Sequence, residues 1–569
     1  MDYVIRGARV IDGTGGPGRA ADIGIEGDRI VAVGTVDGCD AKVVDGDGLI
    51  AAPGFIDPHT HYDGQLCWDG YATPSSLHGV TSVIGGNCGF TLAPLRPEDA
   101  AYTMRMMARV EGMPLAALEQ GVHWRWESFA EYLDGLEGTI GVNAGFLVGH
   151  CALRRYVMGP SSVEAEAGPG ELEAMGQLLA EALAAGGLGL STTRSSTHSD
   201  GDGNPVASRA ASEKELLQLC RVVGEHPGTT LEAIVQGCLT EFSDDEVELL
   251  AGMSATADRP VNWNVLNVGA ADRARAHRQL APSRRAREIG GRVVALTMPV
   301  PAEMNMSLAT FCALWLIPGW SDVMILPLAE KVTALRDPEV RRRLLAAAEG
   351  TAFTRFTDFG NYRIGDTIAR ENAAAEGRLV SDLADEAGLD PFAYVVQLAE
   401  RDNFRTVLWP QPSADTDEDW AFRRELWDDP DVLFGGSDAG AHLDRMLGSP
   451  YPTRVLADAL RGRGLLSVER AVQMITDVPA RLFGLRGRGQ IREGWQADLV
   501  LFDPATVDSG PARRVYDLPG DSLRLTATST GIHRVLVNGV ESIVDGKPTG
   551  SRSGTVLRSG RHTETVTTH

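Results

Sequence analysis

The sequence is poor in cysteine, with seven cysteines in 569 residues. They are scattered along the chain, their number is odd, and no Cys-x-x-Cys pair occurs. This pattern argues against a disulfide framework of the kind that holds small secreted domains together, and it predicts reduced thiols. The N-terminal segment also lacks the apolar core of a signal peptide. Together these two absences predict a cytoplasmic protein.

Positive charge is also scarce, because 53 lysines and arginines stand against 77 aspartates and glutamates and give a formal net charge of −24. Nucleic acids and anionic lipids are bound by clustered lysine and arginine, which a chain this acidic has no general reason to present. No uninterrupted apolar run approaches the ~18 residues of a membrane-spanning helix. The sequence therefore predicts neither a nucleic-acid partner nor a membrane partner.

What the sequence does have is an ordinary globular composition, with 43% hydrophobic and 23% charged residues. This balance excludes a chain that is disordered over most of its length. Glycine and proline are abundant, at 65 and 29 residues, but without the tandem period of a collagen-like protein. The excess predicts many tight connections between short elements.

Short alternating strands occur near both ends of the chain. Because both ends of the chain contain such alternating strands, the simplest explanation is one small β-sandwich domain built from residues 1–52 and 480–569. The strands that carry this prediction are Tyr3–Ile5, Ala21–Glu26, Arg29–Gly34, Lys42–Asp45, Ala497–Phe502, Gly531–Val537 and Glu541–Asp545.

Between these ends, short apolar strands alternate with long amphipathic helical segments, which is typical of a parallel sheet. Helices are expected at Pro169–Ala185 and Ser212–Gly224. The count of strands predicts an α/β fold with a (β/α)₈ TIM barrel over residues 53–479 and a helical insertion at about 300–430. The eight candidate strands are Gly54–His61, Thr81–Gly89, Val142–His150, Leu188–Arg194, Thr230–Gln236, Pro260–Leu266, Arg292–Pro299 and Val432–Gly440.

The end of the first barrel strand carries two histidines, His59 and His61. Functional side chains of such barrels lie at the C-terminal ends of the strands. Residues two apart in a strand point to the same side, so both imidazoles are expected to face the barrel interior. Two imidazoles at the catalytic end supply half of a metal site. Such a pair also occurs on exposed strands, so it does not define a site by itself.

Cys88 lies at the end of the second strand, within Gly85-Gly86-Asn87-Cys88-Gly89. The flanking glycines let other groups approach closely. A thiolate at this place either ligates a divalent metal or attacks a substrate. Packing in the core is the alternative for any single cysteine.

Asp438 lies at the end of the eighth strand, in the run Gly435-Gly436-Ser437-Asp438-Ala439-Gly440. An aspartate in a glycine-rich run is by default a turn residue. At the catalytic end of the last strand it also suits a carboxylate that touches a metal and takes a proton from the attacking water.

Several motifs resemble the amidohydrolase superfamily, and Gly86-Asn87-Cys88-Gly89 narrows the resemblance to its D-aminoacylase branch, the N-acyl-D-amino-acid deacylases. The resemblance covers nearly the whole chain and is weakest across residues 240–430. The other segments that carry it are Pro53–Asp63, Leu147–His150 with Arg154, Gly189–Thr192, Thr476–Arg481, Gly489–Gly494 and Ala497–Val500.

The resemblance implies a barrel with a β-sandwich and metal-assisted hydrolysis of an amide. Residue by residue, it implies that His59, His61 and Cys88 are metal ligands and that Asp438 is the catalytic aspartate and a further ligand. The branch also has histidines at the ends of strands five and six, which with the cysteine hold zinc. The corresponding segments here, Thr229–Val235 and Val261–Asn267, contain no histidine. We therefore expect a divalent metal, zinc, with one ion per chain rather than two.

Other polar residues near the predicted strand ends are candidates for contacts with a substrate. His150, Arg194, His198 and His442 are assigned to substrate binding, with structural roles as the alternative. An arginine matches a carboxylate in a bidentate manner, so Arg194 is the candidate for a substrate carboxylate. Two further polar residues, Glu232 and Asn264, lie within the strands that lack histidine.

The leading hypothesis is a metal-dependent amidohydrolase that cleaves the amide bond of a small N-acyl amino acid or related amide. A water activated by the metal attacks the carbonyl, and Asp438 acts as general base and then as general acid. One alternative keeps the fold but uses a single metal for cyclic amide hydrolysis or for a lyase or isomerase reaction. A second alternative is a non-catalytic relative. The partner is a small-molecule substrate, and a homo-oligomer is left open.

Overall fold

The computed structural model describes residues 1–37, 40–310, 312–351, 353–412 and 414–568. The chain divides into two compact units. One comprises Met1–Ala302 and Thr416–His569, and the other Glu303–Asp415. Among the described residues, no helix is both long and apolar enough to cross a lipid bilayer.

A nine-stranded sheet in the first unit joins the two ends of the chain. Ile50–Pro53 pairs in antiparallel fashion with Leu499–Phe502, placing Ala52 opposite Val500. Alternate residues such as Ile23, Ile25, Leu499 and Leu501 are buried together on one side, which explains the alternating sequence pattern. The strands are Tyr3–Val10, Arg19–Glu26, Arg29–Gly34, Lys42–Asp45, Ile50–Pro53, Leu499–Phe502, Ile532–Val537, Val540–Val544 and Lys547–Pro548.

Parallel strands form two further sheets of the same unit, and their spatial order follows their order in the chain for all but one strand. The four-stranded sheet contains Phe55–Asp57, Val80–Gly85, Asn143–Phe146 and Val556–Leu557. The six-stranded sheet contains Val148–Gly149, Gly189–Thr193, Thr230–Ile234, Val261–Trp263, Val293–Thr297 and Val432–Phe434.

A parallel bridge between Thr60 and Ala439 brings the segment after the first of these strands beside the segment after the last. The architecture is therefore an α/β fold of TIM barrel-like type. The closed barrel and the terminal β-sandwich remain predictions. The strand Val556–Leu557 departs from the expected organisation, because it pairs with Asn143–Phe146 in a parallel sheet and not with the strands of the terminal sheet.

Helices follow the parallel strands, and their starts have clear local causes. The side chains of Ser212 and Ser243 accept hydrogen bonds from backbone N–H groups of the first turn, and Pro169 occupies a first-turn position where no N–H is needed. The two helices expected from the sequence are confirmed, at Pro169–Ala184 and Glu213–Gly224. The other helices of this unit are Ala100–Val110, Leu115–Gly121, Phe129–Leu136, His150–Met158, Asp244–Ala257, Arg273–Gln279, Ala281–Glu288, Asp417–Leu426, Tyr451–Arg461, Val468–Met474 and Asp477–Leu482.

The second unit is mainly helical and has its own core of aromatic side chains. The Phe359 and Phe392 rings stack with centroids 4.5 Å apart, and Trp320 packs beside both. An antiparallel pair, Tyr362–Ile364 and Leu408–Pro410, adds to it. Its helices are Ser321–Met324, Leu328–Arg336, Pro338–Ala348, Thr354–Thr357, Val380–Ala387 and Pro391–Arg401.

Candidate metal centre

His59 and His61 lie just beyond the first parallel strand, and backbone hydrogen bonds on both sides hold this segment. The N–H of Thr60 donates to the carbonyl of Ile84 at 2.9 Å, and the N–H of His61 donates to the carbonyl of Ala439 at 2.7 Å. Because alternate residues face the same side, the two imidazoles project together. Both residues are buried, with exposed fractions of 0% and 1%.

Cys88 completes a cluster with the two histidines. Its Sγ atom lies 3.5 Å from Nε2 of His59 and 4.0 Å from Nε2 of His61. All three potential ligand atoms lie within 4.8 Å of one another, and all three residues are buried. Two imidazoles and a thiol are ligands that zinc prefers. Although the sequence separates Cys88 from the histidines, the structure brings all three predicted residues together.

The backbone around Cys88 is built so that the thiol faces the histidines. Cys88 adopts the left-handed conformation, with φ of 55°, between Gly86 and Gly89, which have positive φ as well. The Ser191 hydroxyl donates to the carbonyl of Gly86 and accepts the N–H of Gly89 at 3.0 Å. The Asn87 amide donates to the carbonyl of Ile84 at 2.9 Å. This short segment is therefore held from several directions.

Glu232, from the strand Thr230–Ile234, lies beneath this segment. Its Oε2 accepts the backbone N–H of Cys88 at 2.8 Å. Its Oε1 is buried and has no hydrogen bond with any other described residue. Burial raises the pKa of Glu232 well above its usual range, and the charge of Asp438 adds to the effect. Glu232 thus supports the cysteine through the backbone.

Asp438 approaches the histidines from the segment after the last parallel strand. Its Oδ1 lies 3.2 Å from Nε2 of His59 and 3.8 Å from Nε2 of His61. The amide of Asn264 also donates to this oxygen, at 3.0 Å. Burial acts to raise the pKa of Asp438, but the hydrogen bond and charge of His59 and the charge of His61 outweigh it and lower the pKa to about 2. Asp438 is therefore a carboxylate at neutral pH.

The environment keeps His61 neutral, which is the form that binds metals. Burial lowers the pKa of His61 to about 3, and the neighbouring His59 adds to this shift. Behind the ring, Oε2 of Glu111 lies 3.5 Å from Nδ1 of His61. A carboxylate orients a histidine when it accepts a hydrogen bond from the ring; at this distance Nδ1 of His61 has no hydrogen-bond partner among the described residues, so Glu111 lies beside the ring without bonding to it.

Glu111 could not be recognised from the sequence. It follows the helix Ala100–Val110 in the long connection between two parallel strands, where no strand-end position marks it. The residue is 3% exposed, and burial raises its pKa well above the usual range. Its carbonyl accepts the N–H of His442, which ties this connection to the segment after Asp438. Glu111 can be recognised only from its position beside His61 in the folded structure.

Two of the predicted substrate-contact residues lie near these groups. His198 is half-buried, its Nδ1 lies 2.8 Å from the Thr193 hydroxyl, and its ring packs edge-on against Phe90. His442 is half-buried as well, with Nδ1 3.4 Å from the Arg445 guanidinium. Burial lowers the pKa of each histidine to about 4, and the charges of His442 and Asp438 also act on His198. Both are therefore neutral at pH 7.

Arg194 and His150 lie in contrasting environments. Arg194 is exposed, and its guanidinium has no hydrogen bond or ion pair with the other described residues. His150 is fully buried, with Nδ1 2.9 Å from the Thr192 hydroxyl and Nε2 2.8 Å from Glu215, which also pairs with Arg154. Both ring nitrogens of His150 are engaged within the protein. These contacts support a structural role for His150 rather than the predicted substrate contact.

The residues present fit a divalent metal. His59, His61 and Cys88 offer two nitrogens and a sulfur, and Asp438 adds an oxygen close to both histidines. In addition, Nδ1 of His59 and Oε1 of Glu232 are buried without a hydrogen-bond partner among the described residues. Buried polar atoms of this kind are costly unless they are satisfied, and they mark functional sites. The donor set is typical of a catalytic zinc site.

Comparisons with known proteins agree with this geometry. Residues 42–549 match the Amidohydrolase family. The D-aminoacylase of Alcaligenes xylosoxydans xylosoxydans is 32% identical over 98% of this chain and 97% of its own. A D-aminoacylase structure solved to study its binuclear metal centre, with one-metal activation and second-metal attenuation, superposes with a TM-score of 0.65 at 29% identity, covering 98% and 99% of the two chains. The N-acyl-D-glutamate deacylase of Bordetella bronchiseptica, complexed with zinc and a phosphonate inhibitor, superposes with a TM-score of 0.62 at 27% identity, covering 98% and 100%.

Proposed function

Because the chain belongs to the Amidohydrolase family, we propose that it is a metal-dependent hydrolase of the amide bond in small N-acyl-D-amino acids. The observation that carries the proposal is the convergence of His59, His61 and Cys88 with Asp438 beside them. The relatives named as D-aminoacylase and N-acyl-D-glutamate deacylase support the choice of bond and configuration.

We propose that His59, His61 and Cys88 hold one zinc ion per chain, with Oδ1 of Asp438 as a further ligand. The segments equivalent to strands five and six carry no histidine and offer Glu232 and Asn264 instead, of which Oε2 of Glu232 accepts the Cys88 N–H and the Asn264 amide nitrogen donates to Asp438. A zinc ion at this place supplies a Lewis acid that polarises the amide carbonyl and makes water more acidic. The relative described by one-metal activation is consistent with a single ion.

The protein groups then divide the proton transfers between them. Asp438, which is ionised at neutral pH, accepts a proton as the water oxygen forms a bond to the carbonyl carbon. When the bond between carbon and nitrogen breaks, Asp438 returns this proton to the departing amine. The products are a carboxylic acid and an amino acid, so one water is consumed for each amide cleaved. Glu232 holds the Cys88 segment through both steps, and Glu111 lies 3.5 Å from Nδ1 of His61.

The substrate side of the site is assigned to His198, His442 and Arg194. The two half-buried histidines are neutral hydrogen-bonding groups near Asp438. Arg194 is an exposed guanidinium without a hydrogen-bond or ion-pair partner among the described residues, and a substrate carboxylate matches its shape. This assignment favours a small acyl amino acid over a neutral amide.

The same proposal includes the architecture around the site. The parallel strands are proposed to close into a (β/α)₈ barrel over about 53–479, and residues 1–52 and 480–569 to form a β-sandwich. The bridge between Thr60 and Ala439 supports the closure. Within the second range, the strand Val556–Leu557 pairs with Asn143–Phe146 of the parallel sheet and is therefore excepted from the proposed sandwich.

The proposal is tested by metal analysis and a substrate panel on purified protein. We expect one zinc per chain in the wild type, loss of that zinc in His59→Ala, and release of free amino acid from N-acyl-D-amino acids but not from their L enantiomers. Hydantoins and lactams complete the panel. Turnover of only these cyclic amides, or an absence of bound metal after zinc supplementation, would contradict the proposed function. Arg259→Lys serves as a control for correct folding. Arg259 is buried just before the strand Val261–Trp263, and Asn264 lies just after the other end of that strand.

A further inference from the structure

Asn264 immediately follows the parallel strand Val261–Trp263 and is 7% exposed. Its amide nitrogen donates a hydrogen bond of 3.0 Å to Oδ1 of Asp438. The amide oxygen is buried and has no hydrogen-bond partner among the described residues. The hydrogen bond made by this side chain is therefore directed at the aspartate that we propose as general base.

Space for this amide is provided by Gly436. A Cβ atom at position 436 would lie 2.1 Å from Oδ1 of Asn264. Any side chain at position 436 would therefore force the Asn264 side chain to move. The φ of Gly436 is +82°, a conformation that also favours glycine. The backbone before Asp438 is thus shaped around the Asn264 side chain.

The two oxygens of Asp438 are not equivalent as a result. Oδ1 receives the Asn264 amide and faces Nε2 of both His59 and His61. Oδ2 has no hydrogen bond or ion pair with the residues that the structure describes, and about 24% of the side chain is exposed. The hydrogen bond fixes the rotation of the carboxylate and so decides which oxygen faces the histidines.

We propose that Asn264 is a positioning residue for Asp438. Its N–H anchors Oδ1 on the side of the histidines and leaves Oδ2 as the oxygen that exchanges a proton with water and with the leaving nitrogen. This inference rests on the proposed function for the role of Oδ2. The anchoring of Oδ1 is independent of the substrate.

A matched control lies two residues earlier, within the strand that Asn264 follows. Asn262 is fully buried, and its amide donates to the carbonyl of Leu231 at 3.1 Å rather than to a side chain of the site. Removal of either amide leaves a small buried gap. Only the Asn264 amide contacts Asp438, so a difference between the two variants reports the contact and not the gap.

The first test measures zinc affinity by chelator competition in a double-mutant cycle of Asn264→Ala and Asp438→Ala. We expect Asn264→Ala to weaken zinc binding about 10-fold in the wild-type background and to have no effect when Asp438 is already alanine. Asn262→Ala should leave zinc affinity unchanged in both backgrounds. An equal loss from Asn264→Ala in the two backgrounds would overturn the proposal.

The second test separates kcat from KM with the best N-acyl-D-amino acid. Asn264→Asp keeps the shape of the side chain but removes the N–H donor, so we expect kcat to fall at least 10-fold with KM nearly unchanged. Retention of wild-type kcat and zinc affinity by Asn264→Asp would overturn the positioning role. If the wild type hydrolyses no acyl amino acid, the proposed function fails, and the zinc cycle alone still decides whether Asn264 anchors Asp438.

Discussion

The backbone N–H of Cys88 donates a hydrogen bond of 2.8 Å to the carboxylate of Glu232, although Cys88 follows a strand of the four-stranded sheet and Glu232 lies in the six-stranded sheet. Among His59, His61 and Cys88, Cys88 alone has a left-handed backbone, at φ of 55°, and the nearby Asp438 shares this conformation at φ of 51°. This conformation costs a residue with a side chain about 1–2 kcal/mol. The carboxylate offsets part of that cost and fixes the direction of the thiol.

We therefore predict that Glu232→Ala weakens zinc binding by about 10–100-fold, which is the usual effect of losing a group that supports a metal ligand. Glu232→Gln retains an oxygen that accepts the Cys88 N–H, and its affinity should stay close to that of the wild type. Chelator competition on the purified variants measures both values.

The control for this prediction is Glu246→Ala. Glu246 also accepts a backbone N–H, from Gly237 at 3.1 Å, but it caps a helix and does not touch the metal cluster. Its removal should lower stability and leave zinc affinity unchanged. Equal zinc affinities of the wild type and Glu232→Ala would show that the carboxylate is not needed to hold the cysteine.

The proximity of His59, His61 and Cys88 could be predicted from the sequence, because all three follow strands of a parallel sheet whose ends meet. The supporting carboxylates could not. Glu232 stands in a recognisable strand, but its bond to the Cys88 backbone depends on the path of a glycine-rich segment. Glu111 stands in a connection, where neither period nor strand position distinguishes it from other acidic residues.

The elements of the fold divide in the same way, into those that a local sequence pattern predicts and those that only tertiary contacts define. Alternate residues of the terminal sheet pack on opposite sides, with Leu499 and Leu501 in one apolar cluster and Val500 and Phe502 in another. The helices at Pro169–Ala184 and Glu213–Gly224 have N-terminal signals and apolar faces, so local sequence predicts these elements. The strand Val556–Leu557 has two residues and no period. It is a strand only because it pairs with Asn143–Phe146, a partner more than 400 residues earlier in the sequence.

A buried ion-pair network around His150 leads to a prediction about stability. The Arg154 guanidinium donates to both oxygens of Glu215, at 2.6 and 2.5 Å, and both side chains are buried. Glu215→Ala leaves a buried guanidinium without its carboxylate, so we expect the free energy of unfolding to fall by about 3–5 kcal/mol. Urea denaturation followed by circular dichroism measures the change.

The matched control removes a carboxylate from an exposed pair. Glu248 lies 2.8 Å from Arg285, and both side chains are well exposed. Glu248→Ala should therefore cost less than about 1 kcal/mol. Similar losses in the two variants would mean that the buried network contributes no more than a surface ion pair.

His78 leads to a prediction about pH. Its ring is buried against the Thr453 hydroxyl, at 2.8 Å, and burial lowers its pKa from 6.5 to about 4. The unfolded chain therefore binds this proton at a higher pH than the folded protein does. The contribution to stability is complete above pH 6.5 and is lost as the pH falls towards 4. Between pH 7 and pH 5 the loss should be about 2 kcal/mol.

The measurement compares wild type and His78→Asn by urea denaturation at both pH values. The asparagine variant has no proton to bind at this position, so its stability should change less over the interval, by about the same 2 kcal/mol. Parallel pH dependences of the two proteins would contradict the assignment of this loss to His78.

The glycine beside Asp438 gives the last prediction. Gly436→Ala places a Cβ where Oδ1 of Asn264 now lies, so the amide must move and its hydrogen bond to Asp438 must break. We expect zinc affinity to fall about 10-fold, as in Asn264→Ala. The control is Gly464→Ala, because Gly464 has φ of +63° but no atom within 4 Å of an added Cβ. The Gly464→Ala variant therefore has the backbone strain of a positive φ without a steric clash, and it should bind zinc as the wild type does. In an Asn264→Ala background the clash is absent, so Gly436→Ala should then cause no further loss of affinity, and a full additional loss would refute the link between the glycine and the amide.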